Sequence, residues 1–148
     1  MTAPLTLIVP GQPVAKGRAR TVVNRGRVHS FTPAKTANYE NLVRMAFVEK
    51  YPNHVPLEGP IMLSIRAFFM APKYLIKKHA HEVAQETILH ISRPDLSNIF
   101  KSVEDALNGV AFADDSAVCI YGPDQSMKLY SVMPRVEISI QQVKEGKS

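Results

Sequence analysis

The chain has 148 residues, a formal net charge of +5 and a pI near 9.4. Hydrophobic residues make up 45% and charged residues 21%, which excludes a disordered chain and fits one domain with a real core. Cys119 is the only cysteine, which excludes an internal disulfide and a cysteine-rich zinc centre.

The basic balance points to a nucleic acid or another anionic partner. The histidines show no HExxH or other paired ligand spacing, and His79 and His81, after a lysine pair, read as solvated. The opening MTAPLTLIVPG has no basic lead, and no run reaches transmembrane length. The expectation is a cytoplasmic protein with no membrane partner.

In chain order, Leu5–Val9 predicts a strand, closed by a turn at Pro10–Gly11. Gln12 to Phe31 carries Lys16, Arg18, Arg20, Arg25 and Arg27 and no acid. Within it, Asn24–Arg25–Gly26 predicts an exposed hairpin tip between Thr21–Val23 and Val28. Thr32 is expected to cap a helix whose first residue is Pro33. That helix carries Tyr39, Leu42, Val43, Ala46 and Phe47 at helical spacing and ends near Tyr51–Pro52. Pro60–Met70 predicts a central strand, residues 71–86 a loop or loose helix, and Thr87–Ile91 a short strand.

The clearest element is a helix over Asp95–Asn108. Leu96, Ile99, Phe100, Val103, Ala106, Leu107 and Val110 form its apolar stripe. Asn108–Gly109 supplies the stop, since glycine readily takes the left-handed conformation. Two strands follow, near Ala117–Tyr121 and Pro134–Val143, and residues 144–148 read as a frayed tail. No repeat or linker is visible. The whole predicts one α+β domain over residues 1–148, with a small mixed sheet and two main helices.

Chemistry concentrates in the stretch RPDLSNIFKSVEDALNGVAFADDSAV. Asp95 precedes the helix, Asp114–Asp115 follow it, and Lys101 projects between them. Acids gathered in a basic chain suggest a divalent-metal site that works on a polyanion. Each residue has a plain alternative: Asp95, or Ser92 with Asp95 as box partner, can cap a helix, Asp114–Asp115 can be a solvated turn, and Lys101 a surface lysine. Ser97, Asn98 and Lys101 share a face opposite the apolar stripe. A Mg²⁺ ion takes one or two carboxylates plus water and substrate phosphate, and Lys101 would then steady that phosphate.

The same stretch resembles the core signature of the RusA family of Holliday junction resolvases: a D-x-D-N-x-x-K helix start, a D-A-L-x-G helix end and a following D-D pair. Asp95, Asn98, Lys101, Asp105–Ala106–Leu107, Gly109 and Asp114–Asp115 fall at the matching places. GQPVAKGRAR and TPAKTANYENLV resemble the family's basic loop and first helix. The resemblance implies a RusA-like fold, a homodimer, and paired nicks in four-way DNA junctions with Mg²⁺ or Mn²⁺. It implies catalytic roles for Asp95, Lys101 and Asp115, with Asp114 joining Asp95 and Asp115 as a metal ligand. Lys16, Arg18, Arg20, Arg25, Arg27 and Arg93 are the expected DNA contacts. The first helix and the first strand are the candidates for the dimer interface.

The chain departs from the pattern at Ser97, where the family commonly has a second aspartate. Ser97 acts through a bound water, or Glu104, Asp105 or Asp114 compensates, or metal is held weakly. Asp114 is the expected substitute, because Glu104 and Asp105 lie toward the far end of the helix. The alternative function is a non-catalytic junction binder. A general nuclease of flaps or single strands and a basic structural domain whose acids are only caps are further readings.

Overall fold

The computed structural model describes residues 3–17 and 20–144. The expected DNA contact Arg18 and the tail beyond Lys144 lie outside these residues, and of Arg20 only the backbone is described.

The elements run β1 (Leu5–Pro10), β2 (Arg20–Asn24), β3 (Arg27–Phe31), α1 (Ala34–Lys50), β4 (Ile61–Met70), α2 (Lys73–Lys78), α3 (Ala80–Ala84), α4 (Leu96–Leu107), β5 (Val118–Tyr121), β6 (Met127–Ser131) and β7 (Arg135–Gln142). One mixed sheet forms the body, in the order β1-β7-β4-β5. β1 and β7, and β7 and β4, pair antiparallel. The far edge of β4 is divided: Ile61–Leu63 pair with β5 and Arg66–Met70 with β6, both parallel. A parallel pair needs a crossover, and α4 lies in the connection from β4 to β5.

α1 and α4 pack on one face of the sheet. Tyr39, Val43 and Phe47 of α1 and Ile99, Phe100, Val103, Ala106 and Leu107 of α4 join Val9, Leu63, Ile65, Val136 and Ile138 in one core. Of the expected stripe, Ile99, Phe100, Val103, Ala106 and Leu107 are buried, Leu96 and Val110 (past the end of α4) are partly buried, and Ser102 is buried with them because its hydroxyl donates to Val14 O at 2.9 Å. α1 is apolar on both sides: Leu42, Met45 and Val48 stay exposed.

The hairpin forms where expected. Arg25 (φ 52°) and Gly26 (φ 77°) both take the left-handed region, as a two-residue turn of the I′ kind demands. Every described side chain of β2 and β3 is exposed.

Two expectations need correction. α1 begins at Ala34 with Pro33, not Thr32, at the cap: Pro33 is extended (ψ 144°) and its carbonyl accepts from Ala37 N. Thr87–Ile91 is not a strand, since an isolated bridge, Leu89 to Leu129, is what forms there. Of the two readings of residues 71–86, the helical one holds, as two short helices, α2 and α3. The sequence reading also passed over β6, whose five residues follow a tight turn.

Candidate active site

Asp95 occupies the N-cap position of α4, yet its side chain makes no capping hydrogen bond. Its carbonyl accepts from Asn98 N and Ile99 N, so the backbone alone closes the first turn. The carboxylate is exposed. The approach to it is held by Lys128, whose ammonium donates to Ser92 O at 2.6 Å and Pro94 O at 2.7 Å. Ser97, Asn98 and Lys101 are exposed on the outer face of α4.

After α4 the chain turns at Gly109 (φ 75°) and returns along the helix. Asn108 Oδ1 accepts from Asp115 N at 3.0 Å and fixes a 3₁₀ turn over Asp115–Ala117. This brings Asp115 Oδ2 to 3.8 Å from Lys101 Nζ. The second acid of the pair points elsewhere: the exposed Asp114 carboxylate accepts from the Ser116 hydroxyl, which holds it below the usual carboxylate range.

The acid that shares Lys101 with Asp115 is Asp105. Its Oδ1 lies 3.2 Å from Lys101 Nζ, and its Oδ2 lies 3.0 Å from Lys16 Nζ. Lys16 also meets Glu40 of α1 at 2.7 Å. The result is a line of alternating charge, Glu40–Lys16–Asp105–Lys101–Asp115. The bond to Asp105 raises the pKa of Lys101 above the usual lysine value. Burial pulls Lys16 down, but its bonds to Glu40 and Asp105 more than offset this and leave it raised. Both lysines therefore carry full positive charge at neutral pH.

Glu104 lies beside this line. Burial pushes its carboxyl up, while the Tyr121 hydroxyl, donating at 2.5 Å, pulls the other way. Tyr121 stacks on Phe100 with ring centroids 3.8 Å apart, which anchors the pair to the core.

The structure thus brings Lys101 and Asp115 together, with Asp95 exposed at the N-cap of the same helix. Among the described residues, no three His, Cys, Asp or Glu gather closely enough to cage a metal. The donor chemistry is all oxygen and open to solvent. It fits an ion of the Mg²⁺ kind, which keeps its waters and is completed by substrate phosphate, and it does not fit a closed site.

Lys16 is not a free arm: its backbone N donates to Asn98 O at 2.9 Å, and Gly17 N donates to Thr36 Oγ1 at 3.0 Å. The loop before the hairpin is thereby fastened to both helices. Beside it, Val14, Gly17, Pro33, Lys35, Arg93 and Pro94 line a groove of about 520 Å³. Arg93, Arg25 and Arg27 are exposed. Sequence reasoning missed the partnership of Lys16 with Glu40 and Asp105, since nothing local links residues so far apart. Only the Lys101–Asp105 arm, at i,i+4 spacing, was visible in the sequence.

These features define a small α/β domain with an open, lysine-bearing carboxylate site next to a basic arm. Residues 10–141 match the family of the endodeoxyribonuclease RusA, and the chain belongs to that family. It is also 34% identical over 137 residues to the uncharacterized protein YqaN of Bacillus subtilis (strain 168), covering 91% of this chain and 94% of that one.

Proposed function

We propose that this protein is a structure-selective endodeoxyribonuclease that resolves four-way DNA junctions by paired, metal-dependent nicks during DNA recombination and repair. The observation that carries the reading is the placement of Lys101 against Asp115 on the helix that opens at an uncapped Asp95. Family membership supplies the reaction class.

In this reading Asp95 and Asp115 would hold a Mg²⁺ ion, with Mn²⁺ a substitute and Asp114 a further oxygen donor, and the bound ion would supply an activated water and offset charge on the phosphate. Lys101 binds a non-bridging oxygen of that phosphate as a point charge, and its stabilisation grows as negative charge builds there. Arg25, Arg27 and Arg93, with Arg18 and Arg20, contact backbone phosphates and orient the duplex, and Lys16 sets the loop that precedes the hairpin of Arg25 and Arg27. Because the basic arm lacks acids, its contribution is salt-sensitive and independent of sequence.

Paired nicks call for two sites at fixed separation, hence a homodimer. The exposed Leu42 and Met45 of α1 and Ile8 of the edge strand β1 line one groove of about 550 Å³, which supports that face as the dimer interface. No helix among the described residues is long and apolar enough to cross a membrane.

A plasmid with an extruded cruciform tests the reading. Linear product in Mg²⁺ and none in EDTA is the expected result. Nicked circles alone would indicate a nuclease that does not pair its cuts, and intact plasmid would overturn the proposal. A non-catalytic junction binder is the second reading, favoured by the exposed, uncharged Ser97 where the family pattern has an aspartate.

A further inference from the structure

Asp105 takes no part in the cleavage step proposed above, yet it is the hub of the charged line. Each of its carboxylate oxygens serves one lysine, Oδ1 Lys101 at 3.2 Å and Oδ2 Lys16 at 3.0 Å. The geometry points to Asp105 as a positioning residue that sets the Lys101 ammonium for reaction. The inference rests on the nuclease reading of the same site.

Three observations support it. Lys101 is long and half exposed, at 52%, so nothing in its own stem fixes the ammonium, whereas Asp105 is short and only 21% exposed. Asp105 is braced from behind, because Lys16 is held by Glu40 at 2.7 Å and by its own backbone bond to Asn98 O. Finally, the Lys101–Asp115 approach of 3.8 Å is longer than a hydrogen bond, while the Asp105 contact is short. Asp105 therefore shares the ammonium and keeps it from closing fully onto Asp115, which leaves that carboxylate available. Through Lys16 the same residue ties the lysine's setting to the loop that carries the basic hairpin. Asp105 touches neither phosphate nor ion in this account; it acts through Lys101.

The test compares native protein with Asp105→Asn, Asp105→Glu, Lys101→Ala and the Lys101→Ala/Asp105→Asn double variant. Single-turnover cutting of a labelled four-way junction is measured in Mg²⁺, junction affinity in EDTA, and melting temperature throughout. Asp105→Asn is expected to cut roughly 10²-fold more slowly with affinity kept, the scale of a misplaced reacting group. Asp105→Glu is expected to recover most of the rate, and the double variant to be no slower than Lys101→Ala alone. In the protein without DNA, the ¹³C-methyl signal of reductively methylated Lys101 is expected to move in Asp105→Asn. If Asp105→Asn does not fold, Asp105→Ser takes its place in the same comparison. A native rate in Asp105→Asn, multiplying losses in the double variant, or an unmoved Lys101 signal would overturn the inference alone. A native protein that cuts no DNA would overturn the nuclease reading and this inference with it.

Discussion

Lys101 Nζ stands 3.8 Å from Asp115 Oδ2 because the chain doubles back after α4 and Asn108 clamps the returning turn. The helix supplies the cation and the turn the carboxylate, so the pair exists only in the folded chain. If Lys101 meets the scissile phosphate, Lys101→Ala removes an interaction made mainly in the transition state. Cutting is expected to fall by roughly 10²- to 10³-fold with junction affinity in EDTA little changed. A variant that cuts at the native rate would remove Lys101 from the mechanism.

Ser97 is exposed one helical turn before Lys101. An aspartate there adds negative charge near Asp95 and near the positive end of the helix dipole. Ser97→Asp is expected to lower the Mg²⁺ concentration needed for half-maximal cutting and to leave stability intact or slightly raised. An unchanged Mg²⁺ titration would place Ser97 away from the ion.

How far the sequence led is clearest around this helix. The buried stripe of α4, Ile99 to Leu107, was legible because a helix repeats its buried face every three to four residues. The hairpin tip was legible because Asn-Arg-Gly tolerates positive φ. The return of Asp115 followed from the short span after Gly109. The missed parts are those set by distant partners. β6 is too short to show a period, and its pairing with β4 decides it. The engagement of the Asp114 carboxylate by the Ser116 hydroxyl is likewise a detail of the fold that no spacing announces. Lys16 read as a DNA contact in a basic run, and its carboxylate partners, Glu40 of α1 and Asp105 of α4, were not foreseen.

The arm predicts a salt signature. Arg25 and Arg27 are exposed at the hairpin tip with no acid in β2 or β3. Replacing both by alanine is expected to weaken junction binding at every sequence and to flatten the salt dependence by roughly one unit of log–log slope per lost contact. An unchanged slope would show that the arm does not meet phosphate.

His90 gives the fold a pH dependence. It is 8% exposed and stacks on Phe69 at 4.0 Å, and its Nδ1 has no hydrogen-bond partner among the described residues. Burial, then the nearby Lys128 charge, lowers its pKa from the ordinary 6.5. The folded ring stays neutral where the unfolded one takes a proton. The stability it contributes is whole above the unfolded value and is lost as pH falls below it toward the lowered folded value. Melting temperature is expected to fall between about pH 7 and 5, and less steeply in His90→Phe. Equal slopes in the two proteins would assign the effect to other groups.

The central claim is that Asp95, Lys101 and Asp115 form one metal-dependent nuclease centre. The most direct measurement incubates native protein, Asp95→Asn and Asp115→Asn with a labelled four-way junction and a matched linear duplex, in Mg²⁺, Mn²⁺ or EDTA. Symmetric nicks in the junction alone, present with metal and lost in both variants, are the expected result. A tight junction complex that native protein never nicks with either metal would contradict the claim.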